Sequence, residues 1–278
     1  GAGITPPFIT FILTHFGWRW SFWGSALLGI AAGAVWFLIA RDSPERHPWV
    51  SKSELVLIRA GVDVKHAQHV ASTPWARIVR SKEILAITLS YFCYGYVAYI
   101  FFTWFFIYLT TVRGLDLRSG ASYTMLPFIA MAVCSPVGGI ICDFVTRHYG
   151  KRWGRCGIAV VGIGLASVFI LIGAKTASPQ VASFVLAGGA GALYLSQSSF
   201  WSVSADVAGP WAGTVSGAMN TGGQIGGALT AILTPAIAGR FGWSASFVTA
   251  AALCVVGSLV WLVVDPDHKL THVPATSA

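Results

Sequence analysis

The chain has 278 residues, 55% of them hydrophobic and only 10% charged, where a soluble domain carries about 25% charged residues. Long uncharged stretches recur from end to end, and many of them in series need lipid as their solvent, which excludes an ordinary soluble enzyme. The net charge of +8 does not point to nucleic acid, because the Lys and Arg residues sit in short loops without a basic or aromatic face behind them; anionic headgroups and membrane topology account for them better.

Residues 1–16 form an apolar run with Pro6 and Pro7. A span needs about 20 residues, so this run and its start at Gly1 predict the remainder of a severed helix. Gly17-Trp18-Arg19-Trp20 is a short turn with interfacial aromatics, and the run over 21–40 is long enough to cross a membrane. Arg41 opens a polar segment to 83, with Asp42-Ser43-Pro44-Glu45 and Pro48, in which an amphipathic helix is expected over 51–66. Six further spans are predicted over 84–110, 120–141, 155–174, 180–203, 212–236 and 243–264, and Asp265-Pro266-Asp267 ends the last. The expected total is seven complete spans and one partial one. If the 41–83 segment is cytoplasmic, most Lys and Arg fall on its side, which places that loop and the C-terminus in the cytoplasm. His15-Phe16-Gly17-Trp18-Arg19 and Gly239-Arg240-Phe241-Gly242-Trp243 echo each other; duplication of a half or similar Gly- and Trp-rich turns would both produce this.

No HExxH, GxSxG or Walker loop is present, no His or Cys set has metal-ligand spacing, and the five Cys residues read as small buried hydrophobes. No cofactor, metal or catalytic residue is expected. The 84–110 segment carries Tyr91, Tyr94, Tyr96, Tyr99, Trp104 and Tyr108. Tyr96 and Tyr99, three apart, share a helix face and either line a cavity or pack. Gln197, near the end of the 180–203 segment, either bonds across helices or faces a wet path. Residues 213–227 hold six Gly that permit close helix approach and also weaken the helix. Within them Asn220 and Gln224 are four apart, so both amides point one way and suit hydroxyl or carboxylate recognition. Asp143 and Arg147 are also four apart, at an expected helix end, and with Gly139 and Arg155 could form a conformational latch.

The run Gly138-Gly139-Ile140-Ile141-Cys142-Asp143-Phe144-Val145-Thr146-Arg147, followed by Gly150-Lys151-Arg152-Trp153-Gly154-Arg155, resembles the cytoplasmic loop signature of the major facilitator superfamily in its second-half copy. The whole chain resembles the anion:cation symporter group of that superfamily, which includes hexuronate, glucarate and galactonate transporters. Asp42-Ser43-Pro44-Glu45-Arg46-His47-Pro48-Trp49 is similar to the group's central loop, with Arg46 where Glu is usual, and Ala208 to Asn220 is similar to the start of its eleventh span. The resemblance implies an all-α, polytopic membrane protein with a major facilitator-type helical bundle, N-terminally truncated. Residues 1–40 would end the first six-helix half, 41–83 form the central cytoplasmic loop, 84–264 form the second half and 265–278 a cytoplasmic tail. It also places Ser198, Trp201 and Asn220 at substrate-contact positions, with Tyr96 and Tyr99 as further contacts.

The expected function is proton-coupled symport of a small organic anion, a hexonate, hexarate or hexuronate, by a monomer in contact with lipid in the inner membrane. In this reading Tyr96, Tyr99, Ser198, Trp201, Asn220 and Gln224 bind substrate, and the missing half fixes the carboxylate and relays the proton. Symport of aromatic or dicarboxylate anions, a non-transporting receptor or sensor, and an inactive truncated fragment remain the alternatives.

Overall fold

The computed structural model describes residues 3–61 and 73–270, and every regular element among them is helical. Two compact units emerge, one of residues 8–73 and one of residues 1–7 with 74–278.

In the smaller unit lie most of α1 (Thr5–Phe16) and α2 (Trp18–Ile39). Gly17, at φ 87°, turns the chain between them, a left-handed conformation that glycine adopts without a Cβ clash. Beyond α2, Pro44–Arg46 forms a single 3₁₀ turn and α3 covers Lys52–Gly61. The helix expected over 51–66 is therefore present to Gly61, and positions 62–66 lie outside the described residues. The Arg59 guanidinium donates to Glu45 Oε1 from Nε at 3.2 Å and from Nη2 at 3.0 Å. A backbone hydrogen bond within Glu45, then the bond from Arg59, holds the Glu45 carboxyl below its ordinary range.

The larger unit opens with a short helix, α4 (Trp75–Arg80), then α5 (Lys82–Thr103). It continues with α6 (Leu117–Tyr149), α7 (Ile158–Lys175), α8 (Pro179–Leu195) and α9 (Gln197–Ala208), and ends with α10 (Ala212–Phe241) and α11 (Trp243–Val260). Helix starts follow capping chemistry. Ser81 Oγ accepts from the Ile84 N–H and Ser178 Oγ from the Val181 N–H. Asp116 accepts from the N–H groups of Arg118 and Ser119. The Ser119 hydroxyl and these amides hold its carboxyl below the ordinary carboxylate range.

Five helices among the described residues are long and apolar enough to cross a membrane: Trp18–Ile39, Lys82–Thr103, Leu117–Tyr149, Arg152–Lys175 and Trp243–Val263. The protein is an all-α, polytopic membrane protein. Two expected spans differ. The 180–203 segment divides at Ser196 into helices of 17 and 12 residues. The 212–236 segment is one helix of 30 residues, whose Gly, Thr, Asn and Gln residues dilute its hydropathy. The expected loop from Asp143 begins late, because α6 stays helical to Tyr149 and stops where Gly150 adopts φ 87°. The 84–110 span is not one straight helix either: α5 ends at Thr103, and a wider-wound π turn covers Tyr108–Val112.

The seam between α5 and α10 is the most extensive packing in the unit. Gly95 meets the backbone of Gly223, and Gly226 meets the carbonyl of Phe92. A Cβ on Gly222 would stand 2.8 Å from Thr88 Cγ2, and one on Gly227 2.6 Å from the Tyr99 ring. Lipid gives apolar helices no reason to leave it for one another, so close backbone approach supplies the attraction. Hydrogen bonds lock the seam. Thr230 Oγ1 donates to the Tyr96 carbonyl at 2.6 Å, Trp104 Nε1 to the Thr230 carbonyl at 3.2 Å, and the Tyr96 and Thr234 hydroxyls pair at 3.2 Å. The glycines serve contact and not breakage: α10 is continuous through all of them.

The two echoed turns share a backbone. Gly17 has φ 87°, ψ 167° and Gly242 φ 83°, ψ 161°. Gly150, within Tyr149-Gly150-Lys151, repeats it at φ 87°, ψ 166°, so the demands of one helix–glycine–helix turn account for the Gly in the echo without duplication.

Gly226→Val is expected to lower the unfolding temperature in detergent, with a loss of about 1–3 kcal/mol from overpacking. Gly239→Ala, with no neighbouring atom within 4 Å, should leave it unchanged or higher. Equal loss in both variants would contradict the seam's role.

Candidate functional site

The seam that joins α5 and α10 also opens a cleft on one side. Its volume is about 250 Å³, and its walls come from α5, α8, α9 and α10. From α5 come Tyr91, Tyr94, Gly95, Ala98, Tyr99 and Phe102. This is the helical series i, i+3, i+4, i+7, i+8 and i+11, a single face. Tyr194 enters from the end of α8, Gln197 from the start of α9, and Asn220, Gly223 and Gln224 from α10.

The break at Ser196 matters here. Its N–H bonds back to Leu193 and Tyr194, and its hydroxyl donates to the Leu193 carbonyl at 2.6 Å. The chain thus steps from α8 into α9 with Tyr194 and Gln197 both on the cleft. Tyr91 and Tyr94 stack with centroids 5.1 Å apart and planes 4° from parallel, and Phe200 meets both edge-on. This aromatic floor fixes the two tyrosines by packing.

The polar groups on the cleft are neutral. Tyr99 donates from its hydroxyl to Gln224 Oε1 at 2.6 Å. That bond occupies the Gln224 carbonyl and leaves its NH₂ group as a donor. Gln197 Nε2 reaches the Tyr91 hydroxyl at 3.5 Å, while Gln197 Oε1 is buried and has no hydrogen-bond partner. An unsatisfied buried amide oxygen costs about 1–3 kcal/mol, so this atom is an acceptor in want of a donor. Asn220, half-buried, adds both a donor and an acceptor.

The structure thus gathers three of the expected contact residues, Tyr99, Asn220 and Gln224, into one cleft. It separates the other three from the lining. Tyr96 is 2% exposed and sits within the α5–α10 seam. Three residues along a helix advance by about 300°, and the glycine seam falls between Tyr96 and Tyr99. Ser198 faces α6, near Gly139, with its hydroxyl buried and unpartnered. Trp201 is not part of the lining; it is exposed, with its ring 6.3 Å from that of Tyr91. Of the polar lining residues, Tyr91, Tyr94 and Tyr194 were not expected contacts, and Gln197 was left open between a helix contact and a wet path. The Tyr91, Gly95, Tyr99 spacing of four was the signal for the first of them.

A second constellation lies at the end of the bundle. Asp143 and Arg147, the expected i,i+4 pair, are both exposed and form no ion pair among the described residues. An exposed pair on one helix gains little from closing. Arg155 instead pairs with Asp206, Nη1 to Oδ2 at 2.8 Å, and both side chains are largely shielded, at 17% and 20% exposure. Lys151 bridges Asp206 at 3.6 Å and Asp267 at 3.9 Å. The π turn of Arg152–Gly157, which precedes α7, carries Arg155; Asp206 lies near the end of α9, and Asp267 follows α11. Gly139 makes only an ordinary contact with Ser198, whereas Gly138 meets the Leu195 carbonyl.

Residues 1–231 match the family model described as Major Facilitator Superfamily. A probable sulfoacetate transporter of Cupriavidus necator is 32% identical over 96% of this chain and 62% of its own length. The hexuronate transporter of Bacillus subtilis is 28% identical over 93% of this chain and 60% of its own length. The chloroplastic ascorbate transporter of Arabidopsis thaliana is 29% identical over 95% of this chain and 48% of its own length. The chain belongs to the major facilitator superfamily, a family of membrane transporters and not of enzymes. It spans less than two thirds of the length of these relatives.

Arg155→Ala and Asp206→Ala are expected to couple by about 1–3 kcal/mol in a double-mutant cycle of unfolding stability. Asp143→Ala with Arg147→Ala should be additive. Additivity at the first pair would remove the network from the account.

Proposed function

We propose that the protein carries out secondary transport of a small organic anion across the membrane, and that the α5–α10 cleft holds the hydroxylated part of that anion. One observation carries this reading: the cleft is lined by the side-chain amides of Gln197, Asn220 and Gln224, which set donors beside acceptors, and the Tyr99 bond leaves the Gln224 NH₂ group as a donor. A hydroxyl group both donates and accepts, so it satisfies such a pair at once. A sugar acid such as a hexonate, hexarate or hexuronate supplies several hydroxyls in a row, and two of the relatives are named as transporters of hexuronate and ascorbate. Carboxylate recognition and proton coupling then rest on groups outside this neutral lining. Substrate would sit between helical halves and meet one face of the membrane at a time.

The Arg155–Asp206–Lys151 network would hold one end of the bundle in one of those states, and the basic residues at that end favour the cytoplasmic side. That orientation puts the central segment and the C-terminus in the cytoplasm of an inner-membrane protein. In this reading the protein acts as a monomer.

A second reading is favoured by the relative that is 32% identical and named a probable sulfoacetate transporter. A short sulfonate has no hydroxyl, and its oxygens would use only the donors of Asn220 and Gln224. The two readings diverge at Gln197, since an acceptor serves a hydroxyl and repels a sulfonate.

Radiolabelled uptake by cells that express the protein should fall for Asn220→Ala and Gln224→Ala, with KM raised about tenfold for each lost hydrogen bond of about 1–1.5 kcal/mol. Gln197→Leu should impair uptake of a hydroxylated acid and spare that of a sulfonate. Uptake unchanged in all three variants, at normal membrane levels, would reject the cleft as the substrate site.

A further inference from the structure

We propose a binding site for the phosphodiester headgroup of an anionic phospholipid, in the basic cleft between α4 and the segment that follows α11. It rests on observations separate from the substrate cleft. Arg77 and Arg80 from α4, with His268 and Lys269 from the C-terminal segment, line a cavity of about 310 Å³. Among the described residues Arg77, Arg80 and Lys269 have no ion-pair partner. The local anion is accounted for: Glu83 is fully buried and lies 2.9 Å from His268 Nδ1 and 3.7 Å from Lys82 Nζ, and it also accepts from the Ser81 hydroxyl at 2.9 Å. Three cations without an ion-pair partner among the described residues thus line one opening, and no described carboxylate lines it with them.

Two features select a lipid as the source of the phosphate. Lys82 begins an apolar helix long enough to cross a membrane, so the cleft lies one turn outside the hydrocarbon, at headgroup depth. On the same short helix Trp75 and Val79, four residues apart, are 59% and 62% exposed. They form an apolar edge beside the two arginines, where an acyl chain would lie. Basic side chains with an interfacial Trp at this depth match an anionic headgroup. The C-terminal segment is held in place to complete the site: the Leu270 N–H donates to the Val207 carbonyl at 3.0 Å, and His268 Nδ1 lies 2.9 Å from Glu83 Oε1.

The test is native mass spectrometry of the detergent-purified protein with phosphatidylglycerol, phosphatidylcholine or inorganic phosphate added. Phosphatidylglycerol should be retained in preference to phosphatidylcholine. Its affinity should fall on the order of tenfold or more in Arg77→Gln/Arg80→Gln and stay unchanged in Arg118→Gln, at the other end of the bundle. Arg77→Lys/Arg80→Lys should keep most of the binding, and Lys269→Gln should weaken it if the double neutral variant does not fold. Equal retention of the two lipids, or affinity indifferent to both Arg77→Gln/Arg80→Gln and Lys269→Gln, would overturn the proposal. So would binding of free phosphate as tight as that of the lipid, which would make the ligand a soluble anion.

Discussion

The contact of α5 with α10 is the constraint on which the rest depends. Within a bilayer, burying apolar side chains gains little, because lipid solvates them equally well. What draws these helices together is the absence of side chains at Gly95, Gly222, Gly223, Gly226 and Gly227, which lets backbone meet backbone. The approach brings Tyr99 within reach of Gln224 and sets Tyr91 above Gly223. A larger residue in the seam would push the helices apart and open the cleft's floor. The seam is thus both the scaffold and one wall of the candidate site.

Charge and neutral polarity are kept apart along the bundle. Lys82, Lys151, Arg155, Asp206 and Asp267 gather at one end, where Arg155 and Asp206 shield each other. The cleft carries hydroxyls and amides alone. This division suits a binding site that must release its cargo: neutral hydrogen bonds contribute about 0.5–1.5 kcal/mol each, enough to discriminate and not enough to trap.

Much of this was legible in the sequence because hydropathy and glycine spacing act locally. The apolar runs gave the helices, and the Gly213–Gly227 stretch announced a close helix contact. Its second reading, as a weakened helix, meets a helix that is continuous through all six glycines, because the packed seam supports what glycine alone would weaken. The breaks actually made, at Ser196 and Trp104, carry neither Gly nor Pro and left no local mark. Asn220 and Gln224 were found because i,i+4 spacing determines a shared face. Tyr96 and Tyr99 were grouped on similar grounds and parted, since which side of a helix meets its neighbour depends on rotation, a tertiary property. Arg155 was selected as a latch residue, but its partner Asp206 lies far along the chain, where spacing carries no information.

The most direct test of the account is the ligand class that stabilises the purified protein. Thermal unfolding would be followed with a hexonate or hexuronate, a short sulfonate, an aromatic acid and a neutral sugar, for wild type and Gln197→Leu. The account predicts a rise in unfolding temperature with the hydroxylated acid, none with the neutral sugar, and loss of that rise in the variant. Stabilisation by the aromatic acid alone, or by the hydroxylated acid equally in both proteins, would contradict it.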